Sequence, residues 1–299
     1  MILSLENKRF SFSGHESFQC RSLWLKKGYD FVQKGKSFND EDAVVELGVG
    51  KNMVGSIRYW MKAFDMLDTE DKLTPLADKL LADDGWDPYL EDEASLWLLH
   101  YHLVTKGYAT TYILLFNELR KEKIEFTKEA FLAFINRKAE MQKITVSKNT
   151  INADFEVMIK LYNRTDSQSN DKEDSFLGIL SELEIMSNFN RNKLEYYVIE
   201  NNEKPQIPYH LILYGILKST EKSLSVSFSE VDQDYNSVGN VFAINRSGLM
   251  DKIEDFVEDS NYKGEIIFND QAGIKELQFR SRPEPMSILE QYYSSVYAG

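Results

Sequence analysis

Between residues 40 and 75, two amphipathic runs meet at a pair of glycines, and few folds accept that arrangement. The first run carries Ala43, Val44 and Leu47 and stops at Gly48 and Gly50, residues suited to the left-handed conformation of a helix C-terminus. From Lys51, the apolar residues Met53, Val54, Ile57, Trp60, Met61 and Phe64 recur at helical spacing and gather on one side. The opposite side offers Lys51, Asn52, Gly55, Arg58, Tyr59 and Lys62, with Ser56 beside them. Residues 68–71 then form a polar turn, and residues 72–74 a short extended piece before Pro75.

That pattern predicts a helix-turn-helix followed by a wing. Lysine and arginine neutralise phosphates, whereas an amide or guanidinium reads base edges in the major groove. Lys51, Asn52, Ser56, Arg58, Tyr59 and Lys62 are therefore candidate contacts to double-stranded DNA, with Lys72 added from the wing. An ordinary amphipathic helix with a solvated polar face has the same periodicity.

The chain has 299 residues, 42% of them hydrophobic, which is enough for two or more cores. Its net charge of -13 argues against a protein that coats nucleic acid indiscriminately. The charge is uneven: +2 over residues 1–65, -8 over 66–96, +4 over 97–164 and -11 over 165–299. A DNA site would be a local basic patch in the first half. The single cysteine, Cys20, excludes an intramolecular disulfide and a multi-thiolate zinc site. With no apolar run approaching a membrane span and charges from Glu6 onward, the sequence predicts a cytoplasmic protein with no membrane partner.

Further along, residues 83–93 hold Asp83, Asp84, Asp87, Glu91, Asp92 and Glu93. Clustered carboxylates bind Mg²⁺ or Mn²⁺, so Asp87 and Glu91 are candidate metal ligands; the run equally fits a solvated loop of helix-capping acids. Residues 96–104 are apolar nearly all round, a buried helix, with His100 and His102 too close in sequence to share a metal on one face. Residues 108–119 read as its partner. Thr127 caps a helix to about Met141, and Ser147 opens another, whose first turn presents Lys148 and Asn149 as further candidate DNA contacts.

The polar run 166–174 (DSQSNDKED) predicts a domain boundary, giving an N-terminal domain of residues 1–165 and a C-terminal domain of 166–299. Beyond it are expected a helix at 176–186, a strand at 194–199 and helices near 210–217, 229–235 and 247–257. A hairpin over 265–279, turning at Gly273, completes a second winged-helix order. The last of these helices mixes Asp251, Glu254, Asp255, Glu258 and Asp259 into its outward positions, which suits a protein partner or a second subunit better than DNA. The fold class expected is thus mainly α with short β hairpins, in two winged-helix-like domains.

His15 and Glu16, in FSGHESF, form the one neighbouring pair suited to base or ligand chemistry; a hydrogen-bonded loop pair is the bland alternative. This segment, with Arg21, Trp24 and Lys26 to Gly28, resembles a prokaryotic family known as domain of unknown function 4007. So do VVELGVGKNMVGSIRYWMKAF at 44–64, LTPLADKLL at 73–81, GWDPYLEDEASLWLLHYHL at 85–103 and ATTYILLFNEL at 109–119. The resemblance is looser through SKNTINADF, SVGNVF and LEQYY.

Members of that family occur with sulfur-transfer proteins that install phosphorothioate in DNA as part of phage defence. The resemblance implies a DNA-binding role beside those proteins, as a partner that nicks one DNA strand, or as a non-catalytic adaptor or transcriptional regulator. If the protein is an enzyme, it is a metal-dependent nicking endonuclease with His15 and Glu16 as candidate catalytic groups. The sequence has no GxxxxGK[ST] loop, no GxGxxG after a strand and no GxSxG elbow, so it offers nothing for nucleotide-triphosphate, dinucleotide or α/β-hydrolase chemistry.

Overall fold

Several helices in this chain start where a side-chain oxygen can take up the unpaired amides of a first turn. Thr74 accepts from the Ala77 amide, Asp92 from Ala94, Thr127 from Ala130 and Ser147 from Thr150. The structure is a computed structural model describing residues 10–164, 177–220, 222–271 and 273–297. The described residues are mainly helical, with two small antiparallel sheets among them. The chain divides into two compact units, one ending at Glu200 and the other beginning at Asn201.

The N-terminal unit runs α1 (Trp24–Gln33), α2 (Ala43–Leu47), α3 (Lys51–Ala63), α4 (Pro75–Leu81) and α5 (Glu93–Thr105). Next comes α6 (Thr110–Leu114), which continues through a π-helical turn (Leu115–Leu119) into α7 (Arg120–Glu122). Then follow β1 (Glu125–Phe126), α8 (Lys128–Met141), α9 (Lys148–Tyr162), a 3₁₀ turn (Ser181–Leu183), β2 (Ser187–Arg191) and β3 (Leu194–Val198). As expected, α5 is buried from Ala94 to Val104. Its two histidines point to different partners: His100 Nδ1 lies 2.7 Å from the Tyr162 hydroxyl, and His102 Nδ1 lies 3.3 Å from Asp65. Trp60, Trp97, Tyr112, Phe116, Phe155 and Tyr162 are among the largest side chains sealed in this core.

The domain boundary expected between residues 165 and 166, with the polar run 166–174, lies outside the described residues. The compact units divide at Glu200 and Asn201, because the strands β2 and β3 pair back into the first unit. β3 lies between β1 and β2, with Phe126 opposite Tyr197 and Phe189 opposite Tyr196. Tyr197 packs on Phe126 and Phe155. The helix expected at 176–186 is corrected: over its described part the chain makes only the 3₁₀ turn. The Ile179 amide donates to the Cys20 carbonyl rather than along a helix, and Glu184 takes a left-handed conformation, φ 46°.

The C-terminal unit runs α10 (Tyr209–Ser219), β4 (Ser225–Ser227), α11 (Phe228–Gln233), α12 (Val238–Val241), α13 (Arg246–Glu258), β5 (Ile266–Gln271), β6 (Ile274–Phe279) and α14 (Pro285–Tyr297). The three expected helices and the hairpin are present, and the sheet order β4-β6-β5 places β6 in the middle. β4, α12 and α14 are not among the expected elements. On α13, Leu249, Ile253 and Phe256 are buried while Asp251, Glu254, Asp255 and Glu258 are exposed.

Candidate nucleic-acid interface

α2 ends as its glycine requires. Gly48 takes φ 63°, and the Gly48 and Val49 amides return to the Val45 and Val44 carbonyls. Gly50, in an extended conformation, is the N-cap of α3, which starts at Lys51. Ile57, Trp60 and Met61 are fully buried, which fixes the rotation of α3 about its axis.

The opposite side is smaller than the sequence suggests. Lys51 and Asn52 are exposed in the first turn, and Gly55, Arg58 and Lys62 are half-buried below them. Ser56 and Tyr59, expected on this face, are buried and are corrected to the interior. Residues 10–19 cover them: Ser56 Oγ reaches the Phe18 carbonyl at 3.4 Å, and the same carbonyl accepts from Trp60 Nε1 at 3.0 Å. The Tyr59 ring meets His15 edge-on at 5.7 Å and Tyr108 at 5.3 Å. A helical wheel cannot show a loop that returns from earlier in the chain.

Arg58 and Lys62 converge on one carboxylate in the turn after α3. Arg58 Nε donates to Asp71 Oδ1 at 3.0 Å and Nη2 to Oδ2 at 2.6 Å, while Lys62 Nζ lies 2.8 Å from Oδ1. Burial pulls the Asp71 carboxyl up, but Arg58 and Lys62 outweigh it and hold it below the usual carboxylate value. The Asp71 hydrogen bond likewise raises the Arg58 pKa. Residues 67 and 73 form an antiparallel bridge, and between them Asp68 accepts from the Glu70 and Lys72 amides. Lys72 is exposed and pairs with Glu70 at 2.6 Å. Lys148 and Asn149 are exposed in the first turn of α9.

The expected pair of His15 and Glu16 is split. His15 is buried, and its Nδ1 accepts from the Ser17 amide at 3.2 Å, so Nε2 carries the proton donated to Asp154 Oδ1 at 2.9 Å. Asp154 also takes the Ser13 amide at 2.8 Å and the Thr111 hydroxyl at 2.8 Å. Gly14 passes so close that a Cβ there would sit 2.5 Å from Tyr59 Cδ2. Glu16 turns outward with φ 50°, and its Cγ lies 3.5 Å from where a Cβ on Gly55 would be, against α3. His15 thus ties the loop to α9 from inside while Glu16 borders the exposed side of α3.

Asp87 and Glu91 do not make an open carboxylate pair. Asp87 is buried, and its oxygens accept from the Glu91 amide at 3.0 Å, the Asp92 amide at 3.0 Å and the Ser95 hydroxyl at 2.6 Å. This closes the loop before α5, and Glu91 itself is exposed. Among the described residues, no three His, Cys, Asp or Glu side chains gather as a metal site. Neither Asp71 nor Asp154 is among the expected site residues. Asp154 left a signal, a lone acid between Ile151, Phe155 and Met158 on an apolar stripe; Asp71 left only a charge in a polar turn.

No described helix is long and apolar enough to cross a membrane. No curated protein matches the sequence. Among solved structures, the chain is similar to a crystal structure of magnesium ion-bound SspB, with 26% identity, TM-score 0.86, and 98% of this chain and 90% of that chain covered. It is equally similar to a second SspB crystal structure, with 27% identity, TM-score 0.85 and coverage of 98% and 91%. A model of the family described as protein of unknown function DUF4007 matches residues 12–293, and the chain belongs to that family.

Proposed function

We propose that this protein is a cytoplasmic DNA-binding component of a DNA phosphorothioation and phage-defence system, acting on double-stranded DNA beside the sulfur-transfer proteins. The observation that carries the reading is the α2–Gly48–α3 turn, which leaves Lys51 and Asn52 exposed at the start of a helix whose other side is locked in the core. In this reading α3 is the reading helix and residues 67–73 are its wing. The similarity to SspB, across nearly the whole chain, supports the system.

The C-terminal unit contacts protein in this account. We read its order α10-β4-α11-α12-α13-β5-β6, with β6 central, as a winged helix, yet beyond Arg246 and Ser247 in the first turn the exposed positions of α13 are the carboxylates Asp251, Glu254, Asp255 and Glu258, which repel phosphate. Strand nicking with Mg²⁺ or Mn²⁺ is the catalytic form of the proposal, supported by the magnesium ion in one SspB structure. The engagement of His15 by Asp154 and of Asp87 by its own loop favours a second form, a non-catalytic adaptor or regulator.

Two assays test these forms. Fluorescence anisotropy of a labelled duplex should show binding whose affinity falls with salt; no binding at low salt would reject the DNA reading. Supercoiled plasmid incubated with protein and Mg²⁺ or Mn²⁺ should convert to open circle and stop with chelator if nicking is intrinsic. Intact plasmid with DNA still bound favours the adaptor.

A further inference from the structure

Two features of the wing suggest how DNA binding by α3 is held in check. First, Arg58 and Lys62, one turn apart on α3, both close on Asp71, so the cations best placed on that face after Lys51 are neutralised within the chain. Second, the hydrogen bonds of the other wing acids are made within the wing, Asp68 to the amides of its own turn and Glu70 to Lys72, although Asp68 also feels the charge of Lys62, which donates to the Thr69 carbonyl. Asp71 is the wing carboxylate that faces α3. Its two oxygens take the Arg58 fork side-on, as the two non-bridging oxygens of a phosphodiester would. The side chains are 36% exposed for Arg58, 26% for Asp71 and 12% for Lys62, so the cluster lies at the surface within reach of a ligand but is only partly screened by water.

We propose that the Asp71 carboxylate stands in for a backbone phosphate, occupying the Arg58–Lys62 fork in the free protein until a DNA phosphodiester displaces it. The inference rests on the reading of α3 as a DNA-contacting helix. A phosphate that meets only this fork must compete with a carboxylate already in place. A duplex that also engages Lys51 and Asn52 gains contacts that offset the exchange. The device weakens loose, purely electrostatic binding more than binding in the correct register, which suits a chain that must not coat DNA.

The test uses the full-length protein and a labelled duplex in anisotropy titrations over a series of KCl concentrations. Asp71→Asn removes the charge and keeps a residue that tolerates the left-handed conformation found at position 71, φ 64°. It should bind about tenfold tighter at low salt with a similar log-log salt slope, because the fork meets the same phosphates in both complexes and only the competing carboxylate is removed. Asp71→Glu, which keeps a carboxylate, should bind as the unaltered protein does, and Asp71→Asn should have no effect once Arg58 and Lys62 are both alanine. Equal or weaker binding by a folded Asp71→Asn protein, while the unaltered protein binds, overturns the latch and leaves the DNA reading standing. Absence of binding by both overturns the DNA reading and the latch with it. Should Asp71→Asn fail to fold, Asp71→Ser replaces it: tighter binding by that protein supports the latch, and unchanged or weaker binding overturns it.

Discussion

Asp154 shows how one side chain can organise a segment distant in sequence. Its carboxylate gathers the Ser13 amide, His15 Nε2 and the Thr111 hydroxyl in a buried site, joining the N-terminal loop, α6 and α9. Replacing it with alanine strands these donors, each at about 1–3 kcal/mol for a buried unsatisfied group. Asp154→Ala should therefore lower the midpoint of urea denaturation substantially, and His15→Ala should do so less. An unchanged midpoint in both would contradict the network. A second residue-scale effect concerns acid. Burial pushes the Asp65 carboxyl up, but His102 and Lys106 hold it down to about 2. A carboxyl depressed in the folded state adds stability that is present above its unfolded value near 4 and lost as pH falls through 4 toward 2. The contribution is about 2 kcal/mol, and Lys106→Ala should shrink it in denaturation curves measured at pH 7 and at pH 3. Equal losses between the two pH values in both proteins would refute the assignment. The sequence disclosed neither partner: Asp65 and Lys106 lie forty-one positions apart, and only the fold brings them together.

Among the elements, α3 was legible because two independent signals agreed, the apolar period and the glycine that ends α2. Its buried side is as expected except at Met53, which is half-buried; its exposed side is not, since Ser56 and Tyr59 are covered by a loop that periodicity ignores. Ile57→Ala or Trp60→Ala should cost roughly 2–5 kcal/mol of stability, as truncations in a closed core do, measured by chemical denaturation. A loss below about 1 kcal/mol in both would mean that this side is not core. In the hairpin of β2 and β3, the expected strand at 194–199 is present as β3, whereas β2 leaves no apolar signal. β2 is polar and exposed along its length, and its turn uses Asn192 and Lys193 at φ 53° and 65° rather than a glycine. The π-helical turn between α6 and α7 leaves no signature in the apolar pattern either.

Across the whole molecule, the charge blocks and the division into units bear on which part meets DNA. The positive blocks, residues 1–65 and 97–164, lie within the N-terminal unit, and residues 201–299 carry a net charge of -6 with no such block among them. A fragment of residues 1–200 should keep most of the DNA affinity, and residues 201–299 should bind weakly; strong binding by the second would reverse the proposed division of labour. A fragment ending at residue 165 should be less stable than one ending at 200, because it lacks β3, which pairs with β1, and β2 beside it. The family was legible from the order of its segments, and nearly full-length similarity to SspB agrees with it. A catalytic centre was not legible, since the candidate groups from distant segments fold to separate duties. The central claim, that α3 presents its cations to DNA, is tested most directly by the salt dependence of duplex binding in the Arg58→Ala, Lys62→Ala double variant. The account predicts a folded protein with weaker binding and a log-log salt slope reduced by about two, one for each phosphate that the variant no longer neutralises. Unchanged affinity and an unchanged slope would contradict it.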